Sequence, residues 1–188
     1  AGEYIGLGRW TAEKRMRVVE SRTRGTGLLA NTIARLPVRP KVFLCASAVG
    51  FYGNCGAMVV DEDHPRGDDF ISHVCTAWEN SVAPARHAGI RTVQMRLGVG
   101  LTPRGGALER LLLTTPLFMF KRFGAGDQYV SWISIDDMAA AILHCLVSED
   151  LEGPLNIAAP QPVTNMALLE TIAHVMKLPQ LFSIPSTV

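Results

Sequence analysis

The sequence predicts an α/β protein with a largely parallel sheet flanked by helices, organised as a single domain over residues 1–188. Three observations predict it. Short strand-like segments lie at 41–46, 91–97, 129–135 and 155–158, and the first is a continuous apolar run bounded by turn residues, which is how a buried parallel strand reads. Stretches with helical spacing of apolar residues lie between and around them. The two kinds alternate along the chain, which implies right-handed crossovers rather than hairpins.

The elements follow in order. Residues 1–9 read as a loop, with glycines at 2, 6 and 8. Thr11 is a candidate N-cap for a helix over 11–36, whose apolar face is Met16, Val19, Leu29, Ile33 and Leu36. Gly25 and Gly27 predict a break in its middle, and Pro37 and Pro40 end it. The run 41–46 is the first strand. Residues 47–69, rich in Gly, Asp and Pro, form a long loop. Ile71, Val74, Trp78 and Val82 mark one helix running to about Gly89. A strand over 91–97, a loop over 98–105 and a helix over 107–120 come next. A strand over 129–135 precedes the helix 136–147, with apolar residues at 138, 141, 142, 145 and 146. A strand over 155–158 and a helix over 165–176 close the chain.

Composition excludes several function classes. Of 188 residues, 48% are hydrophobic and 19% charged, so a core of normal size is expected. The net charge of +1 gives no polyanion-binding excess, and the arginines near the first helix read as a solvated face. No nucleic-acid partner is therefore expected. No apolar run reaches the length of a membrane span, so no membrane partner is expected. Cys45, Cys55, Cys75 and Cys145 show no CxxC spacing and are expected to be reduced thiols of a cytoplasmic protein. The five histidines have no metal spacing, and no metal is expected. The opening Ala1-Gly2-Glu3 does not read as the start of a domain, which suggests a fragment.

Ligands of such sheets sit beyond the C-terminal strand ends, so the loops starting at Ser47 and Gly98 are the ones to inspect. Ser47-Ala48-Val49-Gly50-Phe51-Tyr52-Gly53 follows a strand directly. Its serine hydroxyl could point into the crevice and bond a substrate oxygen, or the segment could be an ordinary strand-to-loop turn. Gly98-Val99-Gly100 imitates a dinucleotide fingerprint, but Pro103 stands where the third glycine belongs. Asp136 and Asp137 precede a helix, and Asp136 is the expected cap. His73 is a weaker catalytic candidate on the 70–88 helix.

Several of these pieces together resemble the extended short-chain dehydrogenase/reductase superfamily, in its NAD-dependent epimerase/dehydratase branch. The strand-Ser47 to Tyr52-Gly53 segment resembles that family's strand-plus-serine motif. Arg96-Leu97-Gly98 resembles the strand end facing the nicotinamide ribose, and Trp132 to Met138 resembles the stretch after the substrate region. Ala1-Gly2-Glu3 resembles the turn after the fourth strand. The likeness runs over roughly residues 1 to 185.

The resemblance implies a Rossmann-like fold of which this chain is the C-terminal portion. Residues 1–100 would be the rear half of the dinucleotide-binding fold, and 101–188 the substrate side with the last strand and helix units. It implies NADP or NAD as cofactor, bordered by Ala1, Gly2, Ala46, Arg96, Leu97, Gly98 and Val99. Ser47 and Tyr52 would be catalytic, and Val49 and Trp132 would touch a small carbonyl or sugar-nucleotide substrate. Loops 98–105 and 122–132 would shape the pocket, and a homodimer is expected. Two departures stand out. The family's strand-G-x-x-G-x-x-G-helix unit is absent, which would leave one side of the sheet as a long apolar edge. Ile71 and Cys75 occupy the positions of the Tyr-x-x-x-Lys pair. These leave two readings open: an oxidoreductase or epimerase-like enzyme, and a non-catalytic nucleotide-binding regulator or scaffold.

Overall fold

A computed structural model describes residues 2–6, 8–114 and 126–177. It forms two compact units: one from residues 1–97 with 140–157, the other from 98–139 with 158–188.

The first unit carries three parallel strands: β1 (Val42–Ala48), β2 (Arg91–Leu97) and β6 (Gly153–Ile157), in spatial order β1-β2-β6. β2 occupies the centre, and its five inner residues Thr92 to Arg96 are all buried. This is the signature of a strand covered on both faces. β1 has β2 on one side and no other strand among the described residues, so the expected free edge is present.

Helix α1 (Ala12–Ala34) begins at Thr11, whose hydroxyl accepts from the Lys14 N–H at 3.2 Å. It runs through Gly25 and Gly27 without the expected break. Tertiary packing overrides glycine's weak propensity there, and Trp78 Nε1 donates to Thr26 Oγ1 at 2.9 Å beside them. The buried stripe also differs from expectation. Lys14, Val18 and Ala30 are buried, whereas Met16 and Leu29 are exposed. Ala30 joins Ala85 and Ile90 in a core cluster under Ile33, Phe43 and Ala88.

The single helix expected over 70–88 is two: α2 (Phe70–Asn80) and α3 (Ala83–His87). Ser81 ends the first, and Pro84, in the opening turn of the second, has no N–H to continue the earlier ladder. Cys45, Cys75 and Cys145 are buried, and all four cysteines are free.

The second unit holds β3 (Val99–Leu101), where a loop is expected from sequence. β3 pairs in parallel with β5 (Trp132–Ser134). The expected strand over 129–135 is divided, because β4 (Tyr129–Val130) pairs antiparallel with the unforeseen β7 (Val163–Thr164). Helix α4 spans Gly106–Thr114, so the expected helical residues 115–120 lie outside the described residues, as do 122–125 of the expected pocket loop. Helix α6 (Asn165–Val175) buries Leu169, Ile172 and Ala173, and Thr164 caps it. Helix α5 (Ile135–Val147) starts in this unit. Its cap is Ser134 rather than Asp136: the Ser134 hydroxyl accepts from the Asp137 N–H at 3.0 Å and donates to the Asp137 carboxylate at 2.8 Å.

No helix among the described residues is long and apolar enough to cross a membrane.

Candidate functional site

Parallel pairing places Ser47 of β1 opposite Arg96 of β2, and Arg96 opposite Asn156 of β6. Residues paired in register point to the same face, so three polar side chains form one rung near the C-terminal ends of the strands. Ser47 and Arg96 are 3% and 4% exposed, so each polar group needs a partner inside the protein.

Helix α2 supplies the principal one. Arg96 Nε and Nη2 donate to the two Glu79 carboxylate oxygens at 2.9 and 3.0 Å, a bidentate fork. The Ser47 hydroxyl donates to Glu79 Oε1 at 2.7 Å. Arg96 Nη1 donates to the Tyr52 hydroxyl at 2.9 Å and the Glu62 carbonyl at 3.3 Å. Tyr52 in turn donates to Asn156 Oδ1 at 2.7 Å, and the Asn156 N–H donates to Glu62 Oε1 at 2.7 Å. The guanidinium also lies 3.5 Å over the Phe51 ring. Burial works against the Arg96 charge. The hydrogen bonds that Arg96 donates to Glu79, then to Tyr52, more than offset it, and the group stays above its ordinary value.

The local chain is shaped to deliver these groups. Val49–Tyr52 is a 3-10 turn that tucks Tyr52 back under the strand ends. A side chain at Gly50 would meet Ile71 Cγ2 at 2.6 Å, so only glycine lets the turn approach α2 this closely. Asp69 caps α2, its carboxylate accepting from the Ser72 N–H at 2.8 Å. That fixes the helix bearing Glu79.

A second feature of the first unit is an open groove of about 350 Å³ along β1 and α1. Gly2, Cys45, Ala46, Gly25 and Thr26 line it, with Arg22 and Trp78. Gly2 and Ala46, both expected to border a cofactor, thus share one cavity. Burial pushes the Cys45 thiol up to about 11, so it is a neutral wall.

The other expected site residues fall as follows. Ser47 does not offer a free hydroxyl to a crevice, because its proton is held by Glu79. The Tyr52 phenol is likewise held inside the network and is 5% exposed. Arg96 turns toward α2 rather than to open space. Val49 and Leu97 are half-buried, Val49 in the 3-10 turn and Leu97 paired with Ala48 and Ile157. In the second unit, a side chain at Gly98 would come to 3.0 Å from the Ser131 carbonyl oxygen, so the strand-to-strand passage is tight there. Val99 donates its N–H to that carbonyl at 2.8 Å, and Trp132 Nε1 donates to the Gln161 carbonyl at 3.0 Å. Ala1 lies outside the described residues. His73, the weaker candidate, is exposed and meets Arg66 Nη1 at 2.9 Å. Sequence reasoning missed Glu62, Asn156 and the role of Glu79. The available signal was that Ser47 and Arg96 sit at equal offsets in β1 and β2.

No group of His, Cys, Asp or Glu among the described residues is placed to hold a metal ion. No protein-family model matches the chain. Individual relatives do. An epimerase family protein of Mycobacterium leprae is 37% identical over 188 residues, covering 98% of this chain and 60% of its own length. The human epimerase family protein SDR39U1, solved with NADPH, has a TM-score of 0.86 and 35% identity, over 96% of this chain and 62% of that one. A nucleoside-diphosphate sugar epimerase from Corynebacterium glutamicum has a TM-score of 0.77 and 32% identity, over 95% of this chain and 42% of that one. The chain spans about three-fifths of the length of the curated relatives it matches. Its parallel sheet and these likenesses over nearly its whole length make the chain similar to proteins of the epimerase family.

Proposed function

We propose that this chain forms the strand-end half of an NAD(P)(H)-dependent, epimerase-like oxidoreductase acting on a small carbonyl or sugar-nucleotide substrate. The observation that carries the reading is its likeness to the human relative solved with NADPH. A bound dinucleotide would supply hydride transfer at its nicotinamide. The residues here fit one side of such a group: Gly2, Cys45 and Ala46 give a groove wall with little side chain in the way. No strand-G-x-x-G-x-x-G-helix unit occurs in the 188 residues, so they offer no cradle for a pyrophosphate. The candidates Arg96, Leu97, Gly98 and Val99 for the cofactor, and Val49 and Trp132 for the substrate, rest on the family likeness.

In this reading, which rests on the family likeness, Ser47 meets the reacting oxygen of the substrate in its hydroxyl form, not as a carbonyl. Its only proton goes to Glu79, so its lone pairs remain to accept from a substrate hydroxyl. Tyr52, tied to Arg96 and Asn156, holds the strand ends rather than moving a proton. Titration of the full-length protein with NADPH and NADH, followed by a screen of carbonyl and sugar-nucleotide substrates, tests the function. Ser47→Ala is expected to lower turnover by about 10²-fold or more. An unchanged rate removes Ser47 from the chemistry.

One observation favours a second reading, a nucleotide-binding regulator without turnover. Ile71 and Cys75 stand where the superfamily's Tyr and Lys belong. Cys75 is 2% exposed, and burial pushes its thiol up to about 11, so it supplies no cation. Tight NADPH binding with no turnover across the screen would establish this reading.

A further inference from the structure

The segment between Gly53 and Asp69 contains no helix or strand, yet it is held at its base and at its midpoint. At its base the chain pinches shut. The Gly67 N–H donates to the Phe51 carbonyl at 3.0 Å, and a side chain at Gly67 would lie 2.7 Å from the Tyr52 carbonyl oxygen and 2.9 Å from Gly53 Cα. A closed base under a compact surface excursion is the form of an Ω-loop. Midway along, Glu62 reaches the strand ends with both its side chain and its backbone. Its carboxylate accepts from the Asn156 N–H of β6 at 2.7 Å, and its carbonyl accepts from Arg96 of β2 at 3.3 Å. Residues on both sides of it, Asp61 and Asp63, are exposed, as are Met58 and Val59.

We propose that Glu62 is a positioning residue that pins this loop as a fixed wall over the C-terminal ends of β2 and β6. The inference rests on the functional reading only in taking those ends to border the ligand. The carboxylate contact is to a backbone N–H. What matters is therefore an acceptor oxygen at that place, and the charge is secondary. Without it the loop keeps its pinched base and the longer Arg96 bond to the Glu62 carbonyl but loses the short tie to β6, and its amides open more readily than those of the sheet.

Hydrogen exchange of the full-length protein tests this. Glu62→Ala is expected to speed exchange across residues 54–66 by roughly tenfold or more, and to raise protease cutting there. Amides of β2 residues 93–95 should keep their protection. Glu62→Gln, whose amide oxygen accepts the same N–H, should restore near-native protection; rescue by this variant is a result that bulk destabilisation would not give. The proposal is overturned if Glu62→Ala leaves the loop's exchange unchanged, if β2 loses protection in parallel, or if Glu62→Gln behaves like Glu62→Ala. NADPH titration of the same variants separates the two ideas. Failure of the wild type to bind NADPH defeats the functional reading and leaves the pinning result standing.

Discussion

Replacing Arg96 by Met should be among the most damaging single changes in the first unit. Met preserves most of the volume, so the cavity contribution stays small. The electrostatic loss does not. Arg96 makes four hydrogen bonds, at 2.9, 3.0, 2.9 and 3.3 Å, and two of them hold the Glu79 carboxylate. The Glu79 side chain is only 11% exposed, so without Arg96 a charge remains buried with the Ser47 hydroxyl as its neighbour. Removing one partner of a buried pair costs about 3–5 kcal/mol. With a urea slope of about 2 kcal/mol/M, the unfolding midpoint should fall by roughly 2 M. The double variant Arg96→Met with Glu79→Gln should recover part of that loss, because the stranded charge is gone. Equilibrium urea unfolding of the four proteins of this cycle is the assay. A loss below about 1 kcal/mol for Arg96→Met, or strict additivity in the double variant, would refute the view that the pair stabilises as a unit.

Two other outcomes follow from the same structure. Burial lifts the Cys45 and Cys75 thiols from the ordinary 9.0 to about 11, so between those pH values the unfolded chain loses protons that the folded one keeps. The contribution of these thiols should be constant below about pH 9 and fall as pH rises toward 11, by up to about 1.4 kcal/mol per pH unit for each thiol. Thermal unfolding of Cys75→Ala across this window should show a shallower decline. Glycine substitutions should divide by site. Gly25→Ala, where a side chain meets nothing within 4 Å inside α1, should stabilise by about 0.5–1 kcal/mol. Gly67→Ala, blocked by backbone at 2.7 Å, should destabilise by more than about 1 kcal/mol, and a Tm comparison of the pair checks both.

The long elements of the fold were legible in the sequence, and the short ones were not. The strand 91–97 is found as expected, residue for residue, because Val93, Met95 and Leu97 alternate with polar residues between turns, a period-2 pattern that no helix shares. Strands β4 and β7 are two residues each, too short for any periodicity, and exist through their pairing. The division of the 70–88 helix was signalled by Pro84, but the apolar spacing ran across it. The site shows the same limit. Ser47, Tyr52 and Arg96 could be picked out by their place after or within strands. Their partners could not, because Glu62 and Asn156 are 94 residues apart in sequence and meet only once β6 is in register. Ser47 and Tyr52 look like free hydroxyls until Glu79 and Asn156 are seen to take their protons.

Strand β2 also solves a problem that its own sequence creates. It is buried on both sides, so exposure to solvent gives it no outer face to fix its frame against β1 and β6. Arg91, at its start, donates to the carbonyls of Cys145, Leu146 and Leu151 where α5 ends, and Arg96 grips α2 from near the other end. An odd spacing along a strand sends the two guanidiniums to opposite faces. A slip by one position would swing both away from their acceptors at once and strand the buried Arg96 cation without its carboxylate. The two arginines therefore act as alignment pins, adding a charge penalty for misthreaded sheets to the one that the strand's apolar positions already impose.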